Sequence, residues 1–306
     1  MDEKIICRVL TGPTASGKTE ISLRLAESHG LEIACMDSMQ VYRGMNIGTA
    51  KPTQEERNRV PHHLLDLCDP CESFSAAMYR NLAEQLIREK WEREGKELLF
   101  VGGTGLYLSA LTQPMGMGSV PADDGLRSEL RELAEREGGK EKLHELLERL
   151  DPETAQRLPL NDVRRTIRAI EVSRATGIPF SRQPVREEAT GIEWKIAATD
   201  LPRGILYDRI NRRAGQMIEK GLKEEVMGLL ESGVSPEAQS MQAIGYKEMI
   251  LHLEGEWSLD KALEEIRKGT RHYAKRQETY LRREEGVRRF SPLGKDAAEQ
   301  AWEILQ

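Results

Sequence analysis

The sequence predicts an α/β protein, a parallel sheet flanked by helices and interrupted by an all-helical insertion. Three observations carry that expectation. An apolar run at 5–10 leads into Gly12, Pro13, Thr14, Ala15, Ser16, Gly17, Lys18 and Thr19, and a helical pattern follows at once. Apolar strand patterns at 32–36 and 98–101 alternate with helical stretches, as in a doubly wound sheet. From about residue 114 the texture changes to charged helices without a strand pattern. The domain reading is therefore 1–114 for the first part of a P-loop NTPase-like core, 115–190 for the insertion, and 191–306 for core completion and C-terminal helices.

Strand, glycine-bounded loop, Gly-Lys-Thr and helix together make a P-loop in its required context. Its backbone N–H groups and the helix N-terminus form an anion nest. Lys18 adds a point charge between phosphates. The Thr19 hydroxyl is placed for a phosphate oxygen or a Mg²⁺. The motif does not say which phosphate compound binds.

Further elements follow in order. Residues 38–52 are too polar and irregular for core and read as a loop at a strand end, where α/β sheets carry function. A short charged helix is expected at 53–59 and a short strand at 61–67. An amphipathic helix at 75–94 stops at Gly95. The insertion reads as helices at 123–137, 140–150, 152–158 and 162–176. A strand at 194–198 resumes the sheet. One long helix is expected at 204–232, with Gly221 inside it. Further helices follow at 240–253 and 258–283, then an edge strand at 287–290 and a helix at 295–305.

Bulk properties bound the class. A chain of 306 residues, 39% apolar and 31% charged, fits one large or two medium globular domains. The longest apolar runs are far too short to span a bilayer. Residues 1–4 enter a strand without a signal-peptide pattern, so a cytoplasmic protein with no membrane partner is expected. Cys7 and Cys35 fall in strand patterns and read as core. Cys68 and Cys71 have CxxC spacing near His62 and His63, but a second ligand pair with metal spacing is missing, so the segment reads as a loop. The net charge of −6 argues weakly against a nucleic-acid partner, although distribution matters more than the sum.

Several residues are placed for chemistry. Asp37 closes the second strand, so it lies near the P-loop, able to bind Mg²⁺ or act as a general base. Ser38 and Gln40 add polar groups to the same edge. Gly102, Gly103, Thr104 and Gly105 close the third clear strand, where ordinary P-loop ATPases place an Mg²⁺-organising acid. The missing acid hints that ATP is not hydrolysed. Three basic clusters stand out from an acidic remainder: Arg164, Arg165 and Arg168; Arg209, Arg212 and Arg213; and a stripe from Arg267 to Arg276, continued by Arg282 and Arg283. Segregated positive charge suggests a polyanion met by one face.

These segments closely resemble the bacterial tRNA dimethylallyltransferases, also called tRNA isopentenyltransferases. The matching residues are the P-loop at 12–19, Asp-Ser-Met-Gln-Val-Tyr at 37–42, Gly-Thr-Ala-Lys-Pro at 48–52, Pro-His-His-Leu at 61–64 and Val-Gly-Gly-Thr-Gly-Leu-Tyr at 101–107. Arg-Ala-Ile-Glu-Val at 168–172, Ala-Ile-Gly-Tyr-Lys-Glu at 243–248 and Thr-Arg-His-Tyr-Ala-Lys-Arg-Gln at 270–277 complete the set. They keep the family's order over nearly the whole chain.

The resemblance implies transfer of a dimethylallyl group from dimethylallyl diphosphate to N6 of the adenosine 3′-adjacent to the anticodon, position 37 of tRNA, with release of diphosphate. It implies that the P-loop cradles the prenyl diphosphate and that Asp37 is the general base. Thr104, Arg209 and Arg213 become catalytic candidates, the two arginines holding the diphosphate with Lys18 and Thr19. Ser38, Met39, Gln40 and Thr104 are expected to touch tRNA near a flipped base. Arg127, Arg164, Arg165, Thr166, Ile167 and Arg168 match tRNA-binding positions on an insertion that would grip the anticodon stem-loop. The family commonly has Gln-Arg where this chain has Arg164-Arg165, and Arg favours phosphate over a base edge. Met39, Met45, Met115 and Met117 are candidates to line a prenyl channel. Mg²⁺ is the expected cofactor and a monomer the expected state.

Two other classes stay open at this level. A small-molecule P-loop kinase would use Lys18 and Thr19 with ATP, against which stand the glycines at 102–103 and the basic stripe. A non-catalytic RNA-binding protein would leave Asp37 beside an intact phosphate loop without purpose.

Overall fold

The computed structural model describes residues 4–113, 120–184 and 191–306. They form two compact units, Met1–Thr112 with Ala189–Gln306, and Gln113–Glu188. The first unit begins β1 (Ile5–Thr11), α1 (Lys18–His29), β2 (Glu32–Cys35), α2 (Gln54–Arg59), β3 (His62–His63), α3 (Ala76–Glu94), β4 (Leu98–Val101) and α4 (Gly105–Thr112). The second holds α5 (Asp124–Glu135), α6 (Gly139–Leu150), α7 (Pro152–Arg157) and α8 (Val163–Thr176). The first unit resumes with β5 (Ile192–Thr199), α9 (Arg203–Glu219), α10 (Leu222–Glu231), α11 (Tyr246–Leu253), α12 (Leu259–Leu281), β6 (Val287–Phe290) and α13 (Ala297–Leu305).

The predicted parallel sheet is present, with strand order β3-β2-β4-β1-β5-β6. Central β1 and β4 are mostly apolar because helices cover both faces, whereas the edge strands β3 and β6 are polar. Alternate residues therefore serve different cores. Val9, Phe100 and Ala198 pack on one face with Tyr79 and Tyr246. Leu10, Leu99 and Ala197 pack on the other with Ile21, Ala301 and Leu305. Pairing of β1 with β4 and β5 brings all three carboxyl ends to one edge.

Local signals set most helix boundaries. Thr53 and Glu56 form a capping box on α2. The hydroxyls of Ser75 and Ser258 accept the Met78 and Lys261 amides at the starts of α3 and α12. Three expectations change. The helix expected at 204–232 is two helices, because Gly221 takes φ +98 and starts α10 in a left-handed turn. The stretch 240–253 divides into a 3₁₀ turn at Ser240–Gln242 and α11, with Gly245 at φ +101 between them. The strand expected at 61–67 is only His62–His63, because Leu64 and Asp66 take positive φ and leave the extended conformation.

In the second unit, Leu130, Leu143, Leu147 and Ile170 bring α5, α6 and α8 around one core. Asp151 is buried and caps α7, and it also accepts from Ser181. Among the described residues, no helix is long and apolar enough to cross a membrane.

Gly221→Ala should lower unfolding free energy by about 1 kcal/mol, because a Cβ penalises the left-handed conformation. A denaturant titration measures it. The added Cβ would find its nearest contact at 3.4 Å, so the loss reports backbone strain rather than a clash.

Candidate active site at the carboxyl edge of the sheet

Residues 12–19 leave β1 and wrap over the start of α1. Neighbouring elements hold them there. The Thr199 hydroxyl, at the end of β5, donates to Ser16 Oγ at 2.7 Å. The Arg209 guanidinium, on α9, donates to Ser16 O at 3.3 Å. Gln277, on α12, accepts from the Thr14 amide at 2.9 Å. Lys18 Nζ donates to the Gly12 and Pro13 carbonyls at 2.9 and 2.7 Å.

Burial, with the Arg213 charge adding to it, pushes the Lys18 ammonium down to about 7; Asp37 and Glu278 act against the shift. Burial also lowers Arg213, although Asp37 supports its charge. The site thus holds cations in a place that resists them. An anion of high charge relieves that cost.

Asp37 stands two residues past the end of β2. Its Oδ1 accepts the Met39 amide at 2.9 Å and the Gln40 amide at 3.4 Å, a local turn that fixes the carboxylate. Thr104 reaches the same place from the end of β4. Its hydroxyl accepts the Ser38 amide at 3.1 Å and donates to Ser38 Oγ at 3.5 Å. Burial, aided by the Asp37 charge, pushes the Tyr273 phenol up to about 12. Thr14 to Thr19, Asp37, Gly102, Arg209, Arg213 and Met217 line one cleft of 1190 Å³.

The loop at 38–52 forms another wall. Gln40 spends its amide on the Thr49 and Ala50 carbonyls and accepts from the Cys35 thiol, so it braces the loop. Glu225, from α10, accepts the Asn46, Ile47 and Gly48 amides at 2.9, 2.8 and 3.1 Å, and also the Tyr246 hydroxyl. Of the methionine candidates, Met45 is fully buried in the core and Met39 packs against that core, neither among the cleft's lining. Met115 and Met117 lie outside the described residues. The apolar groups that do line the cleft include Ile47 and Met217.

In the second unit the expected tRNA-binding positions separate into two kinds. Arg164 and Arg165 are exposed at the start of α8. Thr166 and Ile167 are buried, the first bonded to the Asp162 carbonyl and the second in the bundle core, so their side chains serve the bundle. Arg127 and Arg168 both pair with Glu171, which is 1% exposed and also accepts the Asp123 amide. Those two arginines build the bundle first.

The CxxC segment is split by burial, with Cys68 inside and Cys71 exposed. His63 bonds Glu32, and His62 Nδ1 bonds the Val60 carbonyl.

Thr199, Glu225, Tyr273 and Gln277 escaped selection from sequence. The last two stand inside the matched segment at 270–277, where basic residues drew the attention. Thr199 and Glu225 carried no signal.

The IPP transferase family model matches residues 40–284. The chain belongs to the IPP transferase family. Relatives extend the likeness over the P-loop and Asp37 as well. The tRNA dimethylallyltransferase of Geobacter metallireducens is 46% identical over 295 residues, 94% of this chain and 92% of its own. That of Halalkalibacterium halodurans is 43% identical over 306 residues, covering 99% and 96%. Among solved structures, the tRNA isopentenylpyrophosphate transferase of Bacillus halodurans superposes with a TM-score of 0.70 at 40% identity, covering 99% and 95%. A eukaryotic dimethylallyltransferase acting on tRNA gives 0.76 at 26% identity, covering 97% of this chain and 77% of its own. Membership in the IPP transferase family fits the glycines that end β4, where no acid stands to organise a hydrolytic metal.

With Lys18 lowered to about 7, diphosphate binding at about pH 8 should draw a proton onto it. Calorimetry with inorganic diphosphate at about pH 8, in buffers of different ionisation enthalpy, should record uptake of nearly one proton more for wild type than for Lys18→Arg, which stays charged. Equal uptake by the two proteins would show that Lys18 is already protonated.

Proposed function

We propose that this chain transfers a dimethylallyl group from dimethylallyl diphosphate to N6 of the adenosine 3′-adjacent to the anticodon in tRNA. One observation carries the reading. An intact phosphate loop, Asp37 and the Thr104 hydroxyl that holds the Ser38 amide stand at one sheet edge, in a chain 46% identical to a tRNA dimethylallyltransferase.

The chemistry follows from the groups present. The adenine amine attacks C1 of the prenyl group; the N6–C1 bond forms as the C1–O bond breaks. The electron pair of that bond leaves with diphosphate, and the amine proton goes to Asp37. An amine conjugated to a purine is a weak nucleophile, so an acceptor within bonding reach helps as the bond forms. Backbone amides hold Asp37 Oδ1, which orients Oδ2 for that proton. Lys18, Arg209 and Arg213, with the loop amides, stabilise the charge that diphosphate gains on leaving. Thr104 and Ser38 supply hydroxyls beside the acceptor. Ile47 and Met217 offer the donor's hydrocarbon an apolar wall.

Mg²⁺ fits as a companion of the diphosphate. The described residues contain no cluster of three or more acidic, His or Cys ligands, and Mg²⁺ prefers phosphates, waters and few carboxylates. Thr19 and Asp37 are the residues that would face it, and it would neutralise the leaving group. Arg164 and Arg165 are free of the Glu171 cluster and are the insertion's contacts to the stem-loop phosphates. Action in the cytoplasm belongs to the same reading.

Incubation with labelled dimethylallyl diphosphate and unmodified tRNA, followed by nucleoside analysis, should place the label on adenosine beside the anticodon. Label that never enters tRNA sinks the reading. Asp37→Ala should keep tRNA binding and lose about 10²- to 10⁴-fold in transfer. Arg164→Gln with Arg165→Gln should weaken tRNA binding and flatten the slope of log K against log salt by about 1 to 2. An unchanged slope would leave both as a solvated face.

A further inference from the structure

Gln277 is 6% exposed and makes two inward hydrogen bonds. Its Oε1 accepts from the Thr14 amide at 2.9 Å, and its Nε2 donates to the Gly103 carbonyl at 2.8 Å. Thr14 belongs to the phosphate loop. Gly103 is bonded directly to Thr104. A single side chain therefore bridges the half of the site that holds phosphate and the half that holds the acceptor.

The neighbours on α12 point the same way. Tyr273, one turn earlier, lies within reach of the Asp37 charge, which adds to burial in raising its phenol. Tyr280, one turn later, hydrogen-bonds Ser109, and its ring fills the space a Cβ on Gly105 would need. Spaced by four and three residues, the three side chains share one face of the helix. A Cβ on Gly103 would collide with Gln277 itself. The backbone has approached to receive this amide.

We propose that Gln277 is a positioning residue for group transfer: its bridge fixes the spacing of the phosphate loop and the Thr104 turn, and so aligns donor carbon and acceptor nitrogen. The role rests on the prenyl-transfer reading. It concerns alignment of the two substrates and leaves the binding of each largely intact. A misplacement of 1 Å between reacting groups costs about 10²-fold in rate. The bridge needs a planar end that accepts on one side and donates on the other. A carboxylate cannot donate to Gly103, whereas a protonated carboxyl can.

That difference supplies the test. Wild type, Gln277→Met and Gln277→Glu are assayed with dimethylallyl diphosphate and tRNA, and each is titrated with inorganic diphosphate and melted. For Gln277→Met, kcat should fall about 10- to 100-fold, while both KM values and diphosphate affinity stay within about threefold of wild type. For Gln277→Glu, burial raises the new carboxyl's pKa toward neutral, so kcat relative to wild type should rise as pH falls from about 8.5 to about 6 and the carboxyl regains its proton; the Gln277→Met ratio should stay flat. The role is overturned by a Gln277→Met kcat within twofold of wild type, by diphosphate affinity lost in step with kcat, or by a flat Gln277→Glu ratio. An inactive wild type overturns the prenyl-transfer reading and this role with it; an active wild type with an unaffected Gln277→Met overturns this role alone.

Discussion

Three backbone segments of this protein meet where there is no room for a β-carbon. A methyl on Gly102 would collide with the Met36 carbonyl, and one on Gly103 with Gln277 and the Gly12 carbonyl. The close approach sets the rest of the site. Met36 precedes Asp37, Gly103 precedes Thr104, and Gly12 begins the phosphate loop. Drawing these strand ends together places carboxylate and anion nest within one cleft, with the Thr104 hydroxyl tied to Ser38 at the same sheet edge. The glycines standing where P-loop ATPases keep an acid have a structural use, and they leave the edge open to a second substrate.

Charge is distributed to match. The chain carries a net −6, yet Lys18, Arg209 and Arg213 converge on a half-buried cleft. Desolvation weakens the hold of Lys18 on its proton, which prepares the site for a polyanion and raises the cost of leaving it empty of one. Elsewhere positive charge serves the fold. Arg127 and Arg168 satisfy a carboxylate that would otherwise be buried without a partner. The two uses look identical in sequence, because the chain shows the arginines but not the acid that claims them.

What could be read from the chain is what depends on near neighbours. The P-loop, the cap at Ser75, the stop at Gly95 and the strand at 98–101 are local signals with local causes. Asp37 and Thr104 were legible because strand ends in a parallel sheet share an edge. The break at Gly221 was missed because a helical pattern tolerates an isolated glycine, at a cost of about 1 kcal/mol, without having to end there. Gln277 and Thr199 act across 263 and 183 residues, and no spacing rule reaches that far. Thr166 and Ile167 were assigned by likeness of position, and the helix turns them inward.

The strand order has a further consequence, for the way the chain comes off the ribosome. Central β1 finds β4 within about a hundred residues but must wait for β5, paired from Ile5 with Ile192 to Thr11 with Ala198. The helices between them, α5 to α8, make mostly local contacts and can close their own core as they emerge. One edge of β1 thus stays open while a whole bundle is synthesised and folded. Contacts of such sequence separation form slowly and leave a strand edge exposed to other chains. Aggregation during synthesis should therefore be governed less by the charged surface than by the delay between β4 and β5.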